Sequence, residues 1–228
     1  MHRSSPFLIL ALGLLLAAAP GALARGGPPR YQDVVQEASL PNGLRVLLLE
    51  DRRAPVVSFQ VWYRVGSRNE VPGKTGLAHL LEHMMFKGTP RFGPKTFSQT
   101  VGRNGGDDNA FTMKDATAYF ENIASQNAEV AVELEADRMA HLLLDAEEFR
   151  SERDVVTEER RLRTEDDPGR ELSEQLNSVA YSAHPYGNPV IGWMGDIRSL
   201  TREDALAFYR RYYRPSNAVV IVVGDFSP

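Results

Sequence analysis

Five consecutive residues, His79-Leu80-Leu81-Glu82-His83, combine the side chains that metal-assisted hydrolysis needs. They lie inside Lys74–Lys87, a stretch with a helical pattern that closes at Gly88. On a helix, residues four apart sit about 40° apart around the axis and one turn along it, so both imidazoles can reach one point. Glu82, three residues after His79, lies close to the same face. Neutral imidazoles hold Zn²⁺ without cancelling its charge and leave it a strong Lewis acid. A water on such an ion has its pKa lowered to about 7, and Glu82 is placed to take its proton and return it to a leaving group. The five residues alone support a second reading equally well: two histidines satisfied on a helix face, with Glu82 as a surface charge.

A zinc site with two histidines needs a third protein ligand and an open position for water. The chain has no cysteine, so thiolate ligands and disulfides are excluded and the third ligand is histidine or carboxylate. Acids crowd between Asp145 and Asp167, and density singles out none of them. Helical periodicity does better. Ala146–Thr164 reads as a long amphipathic helix whose apolar face carries Val155, Leu162, Val156 and Phe149 at about 100° per residue. Glu159 and Glu152 fall in the middle of that face, and Glu158 falls outside it. An acid at the centre of a buried stripe is costly unless it is paired or bound to metal, which marks Glu159 and Glu152. Glu148 shares the face but sits three residues after Asp145, where a capping box explains it. His141 and His184 read as structural or surface histidines.

The elements that have to position these residues follow from the same periodicities. Leu44–Leu49, after the turn signal Pro41-Asn42-Gly43, is predicted as a strand. Val56–Val65 alternates, with Val57, Phe59, Val61, Tyr63 and Val65 on one face, and is a half-buried strand. Thr96–Gly102 is a helix ended by Asn104-Gly105-Gly106. Asn109–Met113 and Thr117–Ile123 form a hairpin joined at Lys114-Asp115. Asn127–Leu144 and Thr201–Tyr212 are amphipathic helices, the latter with Thr201 as N-cap and Asp204 three residues on. Ala218–Val223 is almost purely apolar, as a central strand should be. This order gives an α+β domain, an antiparallel or mixed sheet with helices packed on it.

At the N-terminus, His2 and Arg3 precede the apolar run Phe7–Ala19, and Ala22-Leu23-Ala24 supplies a small-residue cleavage site. That is the order of a secretory signal peptide, and the run is well short of the ~20 residues of a spanning helix. Residues 1–24 are therefore expected to be removed and residues 25–33, rich in Gly and Pro, to be a linker. Residues 34–228 form the folded domain, periplasmic or secreted and free of the membrane after cleavage. A formal charge of −4 argues against nucleic acid as a partner.

Gly76-Leu77-Ala78-His79-Leu80-Leu81-Glu82-His83-Met84-Met85-Phe86-Lys87-Gly88-Thr89 resembles the active-site helix of the pitrilysin/insulinase zinc metallopeptidases. It is most similar to the branch with mitochondrial processing peptidase and its bacterial relatives. The resemblance continues through Asn104-Gly105-Gly106, Asn109-Ala110-Phe111-Thr112, Glu152-Arg153-Asp154-Val155-Val156 to Glu159, His184-Pro185-Tyr186-Gly187, Tyr209–Asn217 and Val223-Gly224-Asp225-Phe226. It implies that His79, His83 and Glu159 bind Zn²⁺, that Glu82 is the general base and that Glu152 supports catalysis without binding metal. It further implies that Asn109, Ala110 and Phe111 belong to an edge strand on which an extended peptide or unfolded polypeptide adds a strand. The chain would be one half of a metallopeptidase clamshell, whose second homologous half normally supplies a substrate-holding Arg and Tyr. The alternative is a non-catalytic or split-enzyme subunit that needs a partner half to form the chamber.

Overall fold

The computed structural model describes residues 34–227; the expected leader and linker lie outside them. In chain order the elements are β1 (Gln36–Ser39), β2 (Arg45–Glu50), β3 (Val56–Tyr63), α1 (Leu77–Met84), α2 (Thr96–Arg103), β4 (Asp107–Thr112), β5 (Thr117–Ala124), α3 (Ala128–His141), α4 (Ala146–Arg160), α5 (Pro168–Ala180), α6 (Met194–Ser199), α7 (Arg202–Tyr212) and β6 (Ala218–Gly224). The strands form one mixed sheet in the order β1-β2-β6-β3-β5-β4. β2 and β6 run parallel and the other neighbours antiparallel. The apolar β6 lies inside the sheet, and β4 forms one edge.

Val57, Phe59, Val61 and Tyr63, alternate residues of β3, are all buried, as their period of two requires. With Tyr119 of β5 and Ala218 and Val220 of β6, Phe59, Val61 and Tyr63 meet Leu80, Leu81 and Met84 of α1, Phe149 and Val156 of α4, and Phe208 and Tyr209 of α7 in one core. The α1 stripe Leu77, Leu80, Leu81 and Met84 follows the i, i+3, i+4, i+7 rule, so burying it turns His79, Glu82 and His83 together to another side. Beneath the hairpin, the guanidinium of the buried Arg138 donates to Glu121 at 3.2 Å and also to Glu135. It lies 4.0 Å from the Phe97 ring centre and 4.4 Å from that of Tyr119, tying α3 to α2 and the sheet.

Several boundaries differ from expectation, each for a local reason. The Lys74–Lys87 helix is only Leu77–Met84, because Gly73, Gly76 and Gly88 take left-handed φ values of 84°, 86° and 103°. The long helix to Thr164 ends its α-helical part at Arg160 and continues as a π-helical turn over Arg161–Glu165. Asp167, whose side chain accepts from Gly169 and Arg170 N–H, then caps α5. The apolar face of α4 is also rotated from the expected one. Val155 and Leu162 are exposed, and Phe149, Glu152, Val156 and Arg160 are buried. β1, α5 and α6 were not expected from periodicity. β1 is polar and exposed throughout, and no residue of α5 is buried.

Candidate metal centre

α1 and α4 pack against each other with the polar side of α1 facing the C-terminal half of α4. His79, His83 and Glu159 converge there, with one ligand atom from each lying within 4.8 Å of the others. His79 Nε2 is 3.7 Å from Glu159 Oε1, and His83 Nε2 is 3.4 Å from Glu159 Oε2. The same ring nitrogen of both histidines thus faces one carboxylate. His83 Nδ1 lies 2.8 Å from Glu152 Oε1. Donation to that carboxylate fixes the tautomer that leaves Nε2 free as a ligand. Lys87, one turn after His83, pairs with the other oxygen of Glu152. Glu152 therefore reaches the outer side of His83 and takes no part in the converging set.

The electrostatics agree with a cation site. Burial and the neighbouring His83 pull the His79 imidazole down to about 4, so it stays neutral at physiological pH. Burial also disfavours a proton on His83, but its hydrogen bonds to Glu152 and Glu159 outweigh this and raise it to about 9. The pocket accordingly favours positive charge between His83 and Glu159, and a divalent ion would supply it. His79 Nδ1 is buried without a hydrogen-bond partner, so no outer contact orients this ring as Glu152 orients that of His83. Two neutral-capable imidazoles and one carboxylate form a donor set that fits zinc.

Glu82 projects beside this set. Burial raises its carboxyl above the usual carboxylate range, partly offset by a 2.5 Å hydrogen bond donated by Thr112 Oγ1. His79, Glu82 and Glu159 line a cleft of about 370 Å³ whose other wall is Ala110, Phe111 and Thr112 of β4. Asn109 is exposed on the same strand and turns its side-chain oxygen to its neighbour, accepting from Ala110 N–H at 2.8 Å. It does not line the cleft. A larger cleft of about 620 Å³, beside Asp51, Val57 and Gly224, contains none of these residues.

Three contributors escaped sequence reasoning. Lys87 follows His83 by four residues, and Arg163, which pairs with Glu159 at 2.6 Å, follows it by four. The Glu159–Arg163 spacing puts a cation one turn from an acid and is a signal that a helical reading can use, whereas Lys87 meets Glu152 only through tertiary contact. Thr112 has no such signal, because its contact with Glu82 depends on how β4 meets α1.

Comparison with known proteins agrees with this geometry. The family model described as insulinase (peptidase family M16) matches residues 45–193, and that of the peptidase M16 inactive domain matches residues 199–228. The zinc protease PqqE of Helicobacter pylori is 40% identical over 99% of this chain, which covers 50% of that protein. A probable mitochondrial-processing peptidase subunit beta of Arabidopsis thaliana is 31% identical over 82% of this chain and 35% of its own length. The crystal structure of a Helicobacter pylori protease superposes with a TM-score of 0.83 at 42% identity, covering 85% of this chain and 47% of that one. The chain thus spans half or less of the length of these relatives. A match running through most of the described residues, and including both helices of the converging set, assigns the chain to the insulinase family of peptidases, M16.

Proposed function

We propose that this chain is the catalytic domain of an exported zinc metalloendopeptidase. The observation that carries the proposal is the convergence of His79, His83 and Glu159 beside Glu82, at a cleft that His79, Glu82 and Glu159 line and an edge strand walls. His79 and His83 through Nε2, and Glu159 through its carboxylate, would hold the ion. Zinc there supplies Lewis acidity, which acidifies water and polarises a carbonyl. Glu82 accepts the proton of the attacking water at its carboxylate and delivers it to the departing amide nitrogen. Thr112 holds the Glu82 carboxylate toward the cleft, and Glu152 keeps the His83 ring in its ligating tautomer. An extended peptide aligns along β4, where Ala110 and Phe111 face it and Asn109 flanks it, and adds a strand to the sheet.

Export rests on the leader pattern of residues 1–24. A second homologous part is the natural partner for closing a substrate chamber, given relatives twice as long. The decisive variant is Glu82→Gln, assayed together with that partner part. Cleavage of a fluorogenic peptide should fall by about 10²-fold or more while bound zinc is unchanged, because Glu82 acts on protons and is not a ligand. Loss of zinc from this variant, or unchanged cleavage, contradicts the assignment.

A further inference from the structure

The two helices that carry the ligands meet at the site itself and are linked a second time, through the segment before α6, by residues with no part in the chemistry. α1 begins at Leu77 with no side-chain cap from Gly76, the residue before it. Glu70, buried and several residues upstream, serves instead: its Oε2 accepts from Gly76 N–H at 3.0 Å and its Oε1 from Ala78 N–H at 2.7 Å. These are among the N–H groups that a helix start leaves without partners. Thr75 is anchored in turn. Its hydroxyl donates to Asp196 at 2.7 Å and accepts from Trp193 N–H at 2.9 Å.

The segment before α6 closes the connection. Gly76 and Gly192 pack backbone to backbone, both with left-handed φ. A Cβ on Gly76 would lie 2.5 Å from Ile191 O, and one on Gly192 would lie 2.5 Å from Gly76 Cα. Gly192 O accepts from Arg160 at 2.7 Å. Arg160 is the last residue of α4 and directly follows Glu159. Its guanidinium also grips Glu174 of α5 at 2.7 and 2.9 Å. A continuous path of buried hydrogen bonds and glycine contact therefore runs from the start of α1, two residues before His79, to the end of α4, one residue after Glu159.

We infer that Glu70, Thr75, Gly192 and Arg160 form a brace that sets the separation of the two ligand-bearing helices, and hence the fit of His79 and Glu159 to the metal. They are positioning residues. A buried arginine bonded at once to a carbonyl and a carboxylate has little rotational freedom, so a shift of the 189–193 segment is passed to the helix turn holding Glu159. On the other side, Glu70 fixes the first turn of α1 and so the azimuth of His79. The inference rests on the metal site proposed above.

The test is zinc and Co²⁺ binding by the unaltered chain and by Arg160→Met, Thr75→Val and Glu70→Gln, read by chelator competition and by the visible Co²⁺ spectrum. Circular dichroism first establishes that each apo variant is folded. Arg160→Met should weaken zinc by about 10-fold or more, the range of outer-shell substitutions, with an altered Co²⁺ spectrum. Thr75→Val, nearly isosteric, should weaken it by several-fold and keeps the test open if Arg160→Met does not fold. Glu70→Gln keeps one of the two acceptors and turns an NH2 donor toward the other N–H, so it should weaken zinc by several-fold. Folded Arg160→Met or Thr75→Val protein with unchanged zinc affinity and an unchanged Co²⁺ spectrum overturns the brace. Failure of the unaltered chain to bind zinc would instead overturn the metal site, and the brace with it.

Discussion

Glu152, which is buried, and Glu82, which is partly buried, act on different partners at the site, and their substitutions should separate cleanly. Glu152 holds His83 Nδ1 at 2.8 Å. Glu152→Ala should therefore weaken zinc about 10- to 100-fold, measured by chelator competition, through loss of the ring's orientation and basicity. Thr112→Val removes the 2.5 Å bond to Glu82 and should leave zinc affinity unchanged while lowering the cleavage rate by about tenfold. A fall in zinc affinity for Thr112→Val would contradict that division. The i, i+3 and i+4 spacing made the shared helix face of the histidines and Glu82 legible but not its use, since the same spacing suits two satisfied histidines and a surface charge. Glu159 and Glu152 were legible as acids out of place on an amphipathic helix, although the face itself was misjudged. Val155 and Leu162 drew it toward the solvent side, where the structure leaves both exposed. Thr112 was not legible, because tertiary contact between a strand end and a helix leaves no mark in local spacing.

At the level of elements, the site depends on α1 and α4 being held by groups outside it. Arg138, fully buried, pairs with Glu121 and Glu135, and burial pushes the Glu121 carboxyl well above its usual range, partly opposed by the arginine. Arg138→Ala leaves those acids without their cation and should cost about 3–5 kcal/mol in urea unfolding. Glu70 makes a pH-dependent contribution. Burial lifts its carboxyl from 4.5 to about 8 against the pull of the Ala78 and Gly76 N–H groups. The native state thus holds a proton that the unfolded chain releases, so this contribution is fullest below the unfolded pKa and is lost as pH rises through about 8. Between about pH 5 and 9 the unfolding free energy of the unaltered chain should fall more than that of Glu70→Gln; equal slopes would contradict this. The sheet strands with clear alternation, such as Val56–Tyr63, were readable in advance. β1 is short, polar and held by pairing with β2, so its sequence carries no apolar period to find.

For the molecule as a whole, the described residues enclose a hydrophobic core and a converging ligand set, yet one apolar face stays open. Leu172, Leu176 and Val179 of α5 are 68%, 67% and 76% exposed. Leu176→Gln should accordingly change the stability of this chain by no more than about 0.5 kcal/mol, as thermal unfolding will show. No helix among the described residues is long and apolar enough to cross a membrane. The α+β order of strands and helices was readable from the sequence; the parallel pairing of β2 with β6 was not, because it joins segments from opposite ends of the chain. The most direct test of the account is a crystal soaked in zinc and measured at the zinc absorption edge. It should show one anomalous peak at about 2.0–2.2 Å from His79 Nε2, His83 Nε2 and a Glu159 oxygen, with Glu82 outside bonding distance. A peak elsewhere, or one at the histidines with Glu159 turned away, would contradict it.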